Sequence, residues 1–584
     1  MSSDWHARPA ALALLTMVFG PTEVRAEAAA ATSVEQPKPS APVSKASVPV
    51  GDSNVAPGAV GGSGPGHRVD DSVDGGPTVN AEAPKSGQVK SPDSKKATDK
   101  TGVSDEGVGK TPSEDKKGAT PPEYRRPNRW GLTAGGSQRK DWVSGKNRWD
   151  MHEHINAKKM LGMPDWLNGT LEQRTRYETF DVPWQKGQTG GQHQIPLQTV
   201  LWLEANYNGF RAGFEFWDAR QFGAEPTYTL NNTMVNVADF TQLYGAYATQ
   251  NLFDTGLGFE AIAGRQTMEF GSRRLVARNV FRNTTNSFTG LKFRVRDGKG
   301  DWQVSTFAMM PVVRLPEDKT QLLNNDWAWD QEQNDTVFTG FFAETQMFPW
   351  DVRGELYLYY LGEDPTSARN RNLFTPGFRV FRNAKKGEFD FEGESIAQTG
   401  TSRANATAPQ LDHEAFMQHI QVGYTFDLPW DPRFVLQYDY ATGGTNGSRT
   451  TTNSFDTLYG ARRWEYGPTG IWGPFARNNI NTPGARLFVV PHRDVTSFLA
   501  YRAWWMADSK AAWQPANLVD PTGHSGDFLG HTVEVAMRWD AHDNISLEAG
   551  WQVLIKGDFA RNAPGAPTNH DNSNYFYVQS ELRF

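Results

Sequence analysis

The feature that most constrains this chain is a period of two. In "GFRAGFEFW", Phe210, Ala212, Phe214 and Phe216 fall on one face of an extended segment, against Arg211, Gly213, Glu215 and Trp217. "TGLKFRVRD" sets Leu291, Phe293 and Val295 against Lys292, Arg294 and Arg296. "VRGELYLYY" sets Val352, Gly354, Leu356, Leu358 and Tyr360 against Arg353, Glu355, Tyr357 and Tyr359. "HTVEVAMRW" and "ISLEAGWQV" repeat the pattern, with Glu534, Arg538, Glu548 and Gln552 on the polar side. Successive side chains of a strand point to opposite faces, so each segment reads as a strand with one apolar and one charged face. Two architectures satisfy that: a half-buried sheet in a soluble sandwich, or a membrane barrel with lipid outside and a wet lumen inside.

Connector lengths separate the two. Tight turns are readable at Asn208–Gly209, Asp297 to Gly300, Phe348 to Asp351, Asp427 to Arg433 and Ala541 to Asn544. Long polar stretches lie between them, roughly 181–196, 218–238, 268–288, 314–334, 362–375, 399–412, 442–485, 508–528 and 557–573. Short and long connections alternate, as they do when one barrel rim carries turns and the other carries loops. The scheme places strands near 167, 197, 210, 239, 257, 289, 301, 335, 351, 376, 387, 413, 433, 486, 494, 529, 544 and 574. Those near 376 and 486 are the least marked, so sixteen strands stay open beside eighteen. The expected fold is all-β, a transmembrane antiparallel outer-membrane β-barrel of eighteen strands behind a long disordered N-terminal arm. An even number sets both barrel ends on the short-turn rim, on the periplasmic side. Trp350, Trp430 and Trp539 lie beside short turns, where an interfacial aromatic girdle belongs.

Apolar run lengths agree with a barrel. The longest, "PAALALLTMVFG" (Pro9 to Gly20), follows His6 and Arg8 and precedes small residues around Ala28. It is too short to span a bilayer and reads as a secretory signal peptide over 1–28. From Gly20 to Glu123 there is no Leu, Ile, Met, Phe, Trp or Tyr. Such a segment cannot bury enough apolar surface to offset its ordering entropy, so 29–123 is expected to be a disordered linker in the periplasm. Its "GGSGPG" has no flanking strand and helix, which a phosphate loop requires. Residues 124–165 are expected to be a periplasmic lead-in, and 166–584 the barrel.

The chain closes with "NYFYVQSELRF", in which Phe576, Val578, Leu582 and Phe584 oppose Tyr577, Gln579, Glu581 and Arg583. It reads as the last strand, obliged to pair with the first near "TLEQRTRYETF", because an open edge cannot exist in hydrocarbon. A terminal aromatic there marks Phe584 as an outer-membrane assembly signal, read by the barrel-assembly machinery.

Several stretches carry a family likeness: "RRPNRW" (Arg125 to Trp130), "EQRTRYETF" (Glu172 to Phe180), "FEFWDARQF" (Phe214 to Phe222) and "GRQTMEFGSRRLVARNVFRNTTNSFTGLKF" (Gly264 to Phe293). "GEFDFEGESIAQTG" (Gly387 to Gly400) and the segment from Tyr438 to Gly467 follow in order. Together these resemble the alginate exporter family over essentially all of 125–584. The resemblance implies an outer-membrane channel that passes an anionic polysaccharide through an arginine-rich lumen. It also implies partners: the polymer, outer-membrane lipid and periplasmic polysaccharide-synthesis proteins. The alternative on the same barrel is a diffusive porin taking up small anionic nutrients.

The residues fit such a cargo. A polyuronate carries about one carboxylate per sugar, and guanidinium groups pair with carboxylates bidentately yet exchangeably. Candidate lumen residues on strands are Arg174, Arg176, Arg211, Lys292, Arg294, Arg296, Arg353 and Arg502, with Glu392, Glu394 and Asp439 among the inward carboxylates. Arg273, Arg274, Arg278 and Arg282 lie in a stretch able to fold into the pore, and Asp218 and Arg220 near the loop-side rim. Arg265 is a problem, because strict alternation from Leu257 puts it on the lipid face unless a bulge intervenes. For the strand arginines the competing reading is structural, since Arg–Glu ladders brace barrel lumens without touching cargo. Catalysis has no support: there is no G-x-S-x-G elbow, H-E-x-x-H or phosphate loop. "MHEH" (His152, His154) lacks further ligands, and the chain has no cysteine, so no metal or cofactor is expected. A net charge of −7 gives no case for nucleic acid.

Overall fold

The computed structural model describes residues 161–444, 449–542 and 544–584. The signal segment, the linker, "RRPNRW", "MHEH" and all but the end of the lead-in lie outside the described residues.

Eighteen long strands form one closed antiparallel barrel. The first six are β1 (Leu167–Phe180), β2 (Gln192–Tyr207), β3 (Phe210–Phe222), β4 (Asn236–Thr249), β5 (Gly258–Gln266) and β6 (Phe288–Arg296). Then come β7 (Trp302–Val313), β8 (Thr336–Thr345), β9 (Val352–Glu363), β10 (Asn372–Arg382), β11 (Phe389–Ser402) and β12 (Leu411–Thr425). The last are β13 (Arg433–Ala441), β14 (Ile480–His492), β15 (Val495–Trp505), β16 (Phe528–His542), β17 (Ile545–Lys556) and β18 (Ser573–Arg583). Each pairs with its sequence neighbours. β18 returns to β1 in a register running from Glu172–Arg583 to Phe180–Tyr575. Beyond the last rung, Leu171 and Phe584 exchange backbone N–H···O bonds of 3.0 and 2.9 Å. No backbone edge is left for the hydrocarbon, where each unsatisfied group costs several kcal/mol.

All eighteen expected strands are present, including the two least marked ones, which start at Asn372 and Ile480. β2 begins at Gln192, five residues before its expected start, because Gln192, His193 and Gln194 add no apolar beat at that end. The short rim is built from compact turns. Asn208 and Gly209 have φ of 49° and 85°, the left-handed pair that a two-residue hairpin with matching twist requires. Trp350 and Trp430 are 81% and 60% exposed at other short turns, outward at the level of a membrane interface.

Alternation holds through the wall. On β18 Phe576 and Val578 face out while Tyr575, Tyr577, Gln579 and Glu581 are buried inside. On β10 Phe374, Phe378 and Val380 face out against buried Thr375 and Arg379. The interior is not a simple wet bore. Residues 267–287 and 449–479, parts of two of the long connections, turn inward, and the packed core forms between them and the inner wall. Trp472 stacks on Tyr575 at 5.4 Å, and Phe475 lies flat on Trp504 at 3.7 Å. Aromatic residues at inward positions therefore meet protein, which is why they sit where a water-filled lumen would want polar groups.

Closure is directly testable, since the chain has no cysteine of its own. Thr175 and Ser580 are register partners on the outward faces of β1 and β18. Antiparallel partners lie about 4.5–5.5 Å apart between Cα atoms, within the span of a disulfide. The Thr175→Cys, Ser580→Cys double variant should oxidise to an intramolecular disulfide, seen as faster migration of the heat-denatured, non-reduced chain. Each single variant should not shift.

Candidate functional site

The candidate site is the lumen, and its cations fall into groups set by where their strands or loops place them. Near the short-turn rim, β3, β6 and β9 direct Arg211, Lys292, Arg294, Arg296 and Arg353 inward. Arg211 is buried, reaching Glu204 at 3.4 Å and also pairing with Glu260. Arg294 meets the other oxygen of Glu260 at 2.5 Å but keeps its side chain 34% exposed. Arg296 is held by the neutral amide of Gln250 at 2.6 Å. Lys292 and Arg353 are half-buried and make no ion pair within 4.0 Å among the described residues. This rim thus offers positive charge to the bore.

Other arginines of the wall are braces. Arg379 bridges Glu355 at 2.8 Å and Glu392 at 2.9 Å. Arg433 forks onto Asp390, with Nε at 2.9 Å. Arg502 pairs with Asp439 at 2.6 Å, and His419 Nδ1 lies 2.7 Å from the same carboxylate. Arg174 and Arg176 act on loop backbone instead. Arg174 donates to the carbonyls of Val280 at 2.6 Å and Arg282 at 2.9 Å, and Arg176 to that of Phe281 at 2.7 Å. Asn283 completes the clamp by donating to the carbonyls of Leu197 and Met234, both at 2.9 Å.

The first in-folded loop carries its own anchors. Arg278 reaches Glu215 at 2.8 Å and Arg273 reaches Glu269 at 3.0 Å. Arg274 pairs with Glu392 at 2.6 Å, with Glu394, and with Glu465 of the second loop at 2.5 Å. Burial opposes the charge of Arg274, yet Glu465, Glu392 and Glu394 outweigh it and hold the guanidinium well above its ordinary value. Burial likewise opposes the Glu465 carboxylate, but Arg274 and then Arg477 hold it well below the carboxylate range. In the second loop Arg463 reaches Glu534 at 2.7 Å and the Tyr577 hydroxyl at 2.9 Å. Backbone bonds tie the loops together: Tyr459 N–H to Leu275 O at 2.9 Å, Ala461 N–H to Arg273 O at 2.9 Å, and Ala277 N–H to Tyr459 O at 3.2 Å.

Three expected lumen residues lie elsewhere. Arg265 keeps the outward parity that alternation dictates; no bulge turns it inward. At the loop end of β5 it is covered by residues 314–335, meeting Glu332 at 2.6 Å and Asp239 at 3.3 Å. Asp218 and Arg220 share the outward parity of Phe214 and Phe216 on β3 and pair with each other at 2.9 Å. Glu392, Glu394 and Asp439 do face inward, but all three are buried and engaged by the arginines above. The sequence reading missed Arg379, Arg433, Arg463 and Arg477. Arg379 and Arg433 follow the period of their strands and were readable; Arg463 opens a one-turn helix and Arg477 lies in irregular loop, where no period points to them. "GHSGD" forms a turn in which the Ser525 hydroxyl donates to Asp520 at 2.7 Å.

The chain is similar in structure to the outer membrane protein OpdK from Pseudomonas aeruginosa, with 11% identity, 72% of this chain and 98% of that one covered, and a TM-score of 0.46. OccK8 (OprE) from Pseudomonas aeruginosa gives 10% identity, coverage of 72% and 98%, and a TM-score of 0.47. OccAB1 from Acinetobacter baumannii gives 12%, coverage of 72% and 97%, and 0.47. No curated protein matches the sequence. The family model for alginate export matches residues 165–574, nearly the whole of the barrel. An outer-membrane barrel with a cation-bearing lumen, matched over that length, belongs to the alginate export family.

Proposed function

We propose that this barrel exports an anionic, alginate-like polysaccharide from the periplasm to the cell exterior. The observation that carries this reading is the set of cations left facing the bore at the short-turn rim: Lys292, Arg294, Arg296 and Arg353. Most other arginines of the lumen are consumed by carboxylates or loop carbonyls; Lys292, Arg296 and Arg353 are unpaired with carboxylates among the described residues, and Arg294, though it meets Glu260, stays one-third exposed, so these are the groups available to a passing polyanion. Their spread over β6 and β9 suits a chain that exchanges one carboxylate partner for the next, since guanidinium–carboxylate contacts are strong yet individually replaceable. Arg273, Arg274, Arg278, Arg174, Arg176 and Arg502 serve in this reading as supports that fix the loops and the wall. The barrel is a conduit and performs no bond chemistry.

The short-turn rim faces the periplasm, with the stretch before the barrel on that side, where polysaccharide-synthesis proteins deliver the polymer. The in-folded loops act as a constriction that gives way during transport. A second reading, uptake of small anionic nutrients, is favoured by one observation: with residues 267–287 and 449–479 tied together across the bore, a monomer passes more readily than a polymer. Phe584 is the signal read by the barrel-assembly machinery, and its backbone also completes the pairing with Leu171.

In a strain lacking the gene, anionic polysaccharide should build up in the periplasm and fall in the medium, and the full chain should reverse both. Unchanged secretion with loss of growth on a small uronate would instead establish uptake. Deleting Phe584 should reduce the amount of heat-modifiable barrel in outer membranes several-fold while leaving the conductance of inserted barrels as in the parent. Normal assembly of that variant would remove the proposed signal role.

A further inference from the structure

Two loop arginines differ from the rest. Arg282 and Arg314 line a cleft of about 320 Å³ at the loop end of the bore, with Asn232, Asn286, Ser287 and Gln333 beside them. Its remaining wall is Pro311 to Val313 at the end of β7 and the segment 457–460 of the second in-folded loop. Small-molecule sites typically occupy about 300–1,000 Å³, so the space suits one sugar-sized ligand.

The chemistry of the lining is one-sided. Arg282 is half-buried, and its guanidinium makes no hydrogen bond or ion pair with any described residue; only its backbone carbonyl is used, by Arg174. Arg314 is positioned by neutral acceptors: the carbonyls of Asn232 at 3.0 Å and Thr285 at 2.9 Å, and the Asn286 side-chain oxygen at 3.2 Å. Asp330 and Glu317 act on Arg314 from beyond ion-pair distance, and both are bonded to asparagine amides, of Asn236 and Asn232. Arg462 adds a third positive charge nearby and is itself held by the carbonyls of Phe475 and Gly473 at 3.2 and 3.5 Å. Burial pushes the Arg282 guanidinium down to about 9, and the charges of Arg462 and Arg314 push the same way. A partly desolvated cation set among like charges is stabilised by an incoming anion more than any paired arginine of the lumen.

We infer that this cleft is a binding site for a carboxylate-bearing sugar, one uronate unit, with Arg282 and Arg314 gripping the carboxylate. Asn232, Asn286, Ser287 and Gln333 provide donors and acceptors for sugar hydroxyls. The inference rests on the reading of the barrel as a conduit for polyuronate, but it concerns equilibrium binding and is independent of transport direction.

The test is isothermal titration of the full chain in detergent with glucuronate, a uronate oligomer, glucose and inorganic phosphate. Saturable binding of both uronates is expected, with glucose silent. Arg282→Gln should weaken uronate binding at least about tenfold, the size of one charge-assisted hydrogen bond. That side chain makes no hydrogen bond or ion pair with the described residues, so the variant should retain its β-sheet signal and heat-modifiability. Arg493→Gln, at an exposed turn on the opposite rim, should bind as the parent does. Equal uronate affinity in parent and Arg282→Gln would overturn the site, as would equal binding of glucose. Phosphate bound as tightly as uronate would overturn the sugar assignment. Uronate binding lost in Arg282→Gln while secretion proves independent of the protein would sustain the site and discard export.

Discussion

A strand in hydrocarbon has no water to bond, and every other feature of this protein depends on that. Each backbone N–H and C=O must find a partner on a neighbouring strand, so the sheet closes, β18 onto β1, down to the bonds between Leu171 and Phe584. Closure fixes an inside and an outside, and the two-residue period then sorts every side chain. Apolar residues such as Leu356, Phe378 and Val578 meet lipid, while most arginines and carboxylates are committed to the lumen; the outward Asp218, Arg220 and Arg265 lie at the loop ends of their strands. Within the apolar band a charge is excluded from the outer face, because an unpaired basic side chain on the lipid face of a barrel strand costs about 2–4 kcal/mol near the bilayer midplane.

Charges crowded into a narrow, low-dielectric space must be paired, and the pairing builds the interior. Arg379, Glu392, Arg274, Glu465 and Arg477 form a continuous ionic chain from the wall strands β10 and β11 through the first in-folded loop to the second. Tyr357 supports it by donating to Glu394 at 2.6 Å. Removing one partner of such a buried set typically costs about 3–5 kcal/mol, because the others are left uncompensated. The chain therefore holds the loops in place firmly, yet it is made of the same guanidinium–carboxylate contacts that a polyuronate could compete for. One chemistry serves both the closed constriction and the proposed cargo.

The wall was legible in the sequence, and most of the interior was not. Strand positions, the alternation of short and long connections and the inward sense of Arg294 or Arg353 all follow from a local period. So did the outward placement of Arg265, which alternation alone dictated. The ends of β2 and β14 were blurred because there both faces are polar or the apolar beat lapses at Pro196 and Pro483. Residues 267–287 and 449–479 carry no period, and their positions are decided by partners more than a hundred residues away, as with Arg274 and Glu392. A run of arginines in such a loop announces an interaction with carboxylates; it does not say whether they belong to the cargo or to the protein. For Arg273, Arg274 and Arg278 they belong to the protein.

The central claim is that ionic anchoring of two in-folded loops sets the bore of an anion-conducting barrel. Single-channel recording in planar bilayers under a salt gradient, comparing the full chain with Arg274→Ala, tests it most directly. A small conductance with anion preference is expected for the parent. A several-fold larger, noisier conductance is expected for the variant, with unchanged β-sheet content. Identical conductances in the two proteins, or cation preference in the parent, would contradict the account.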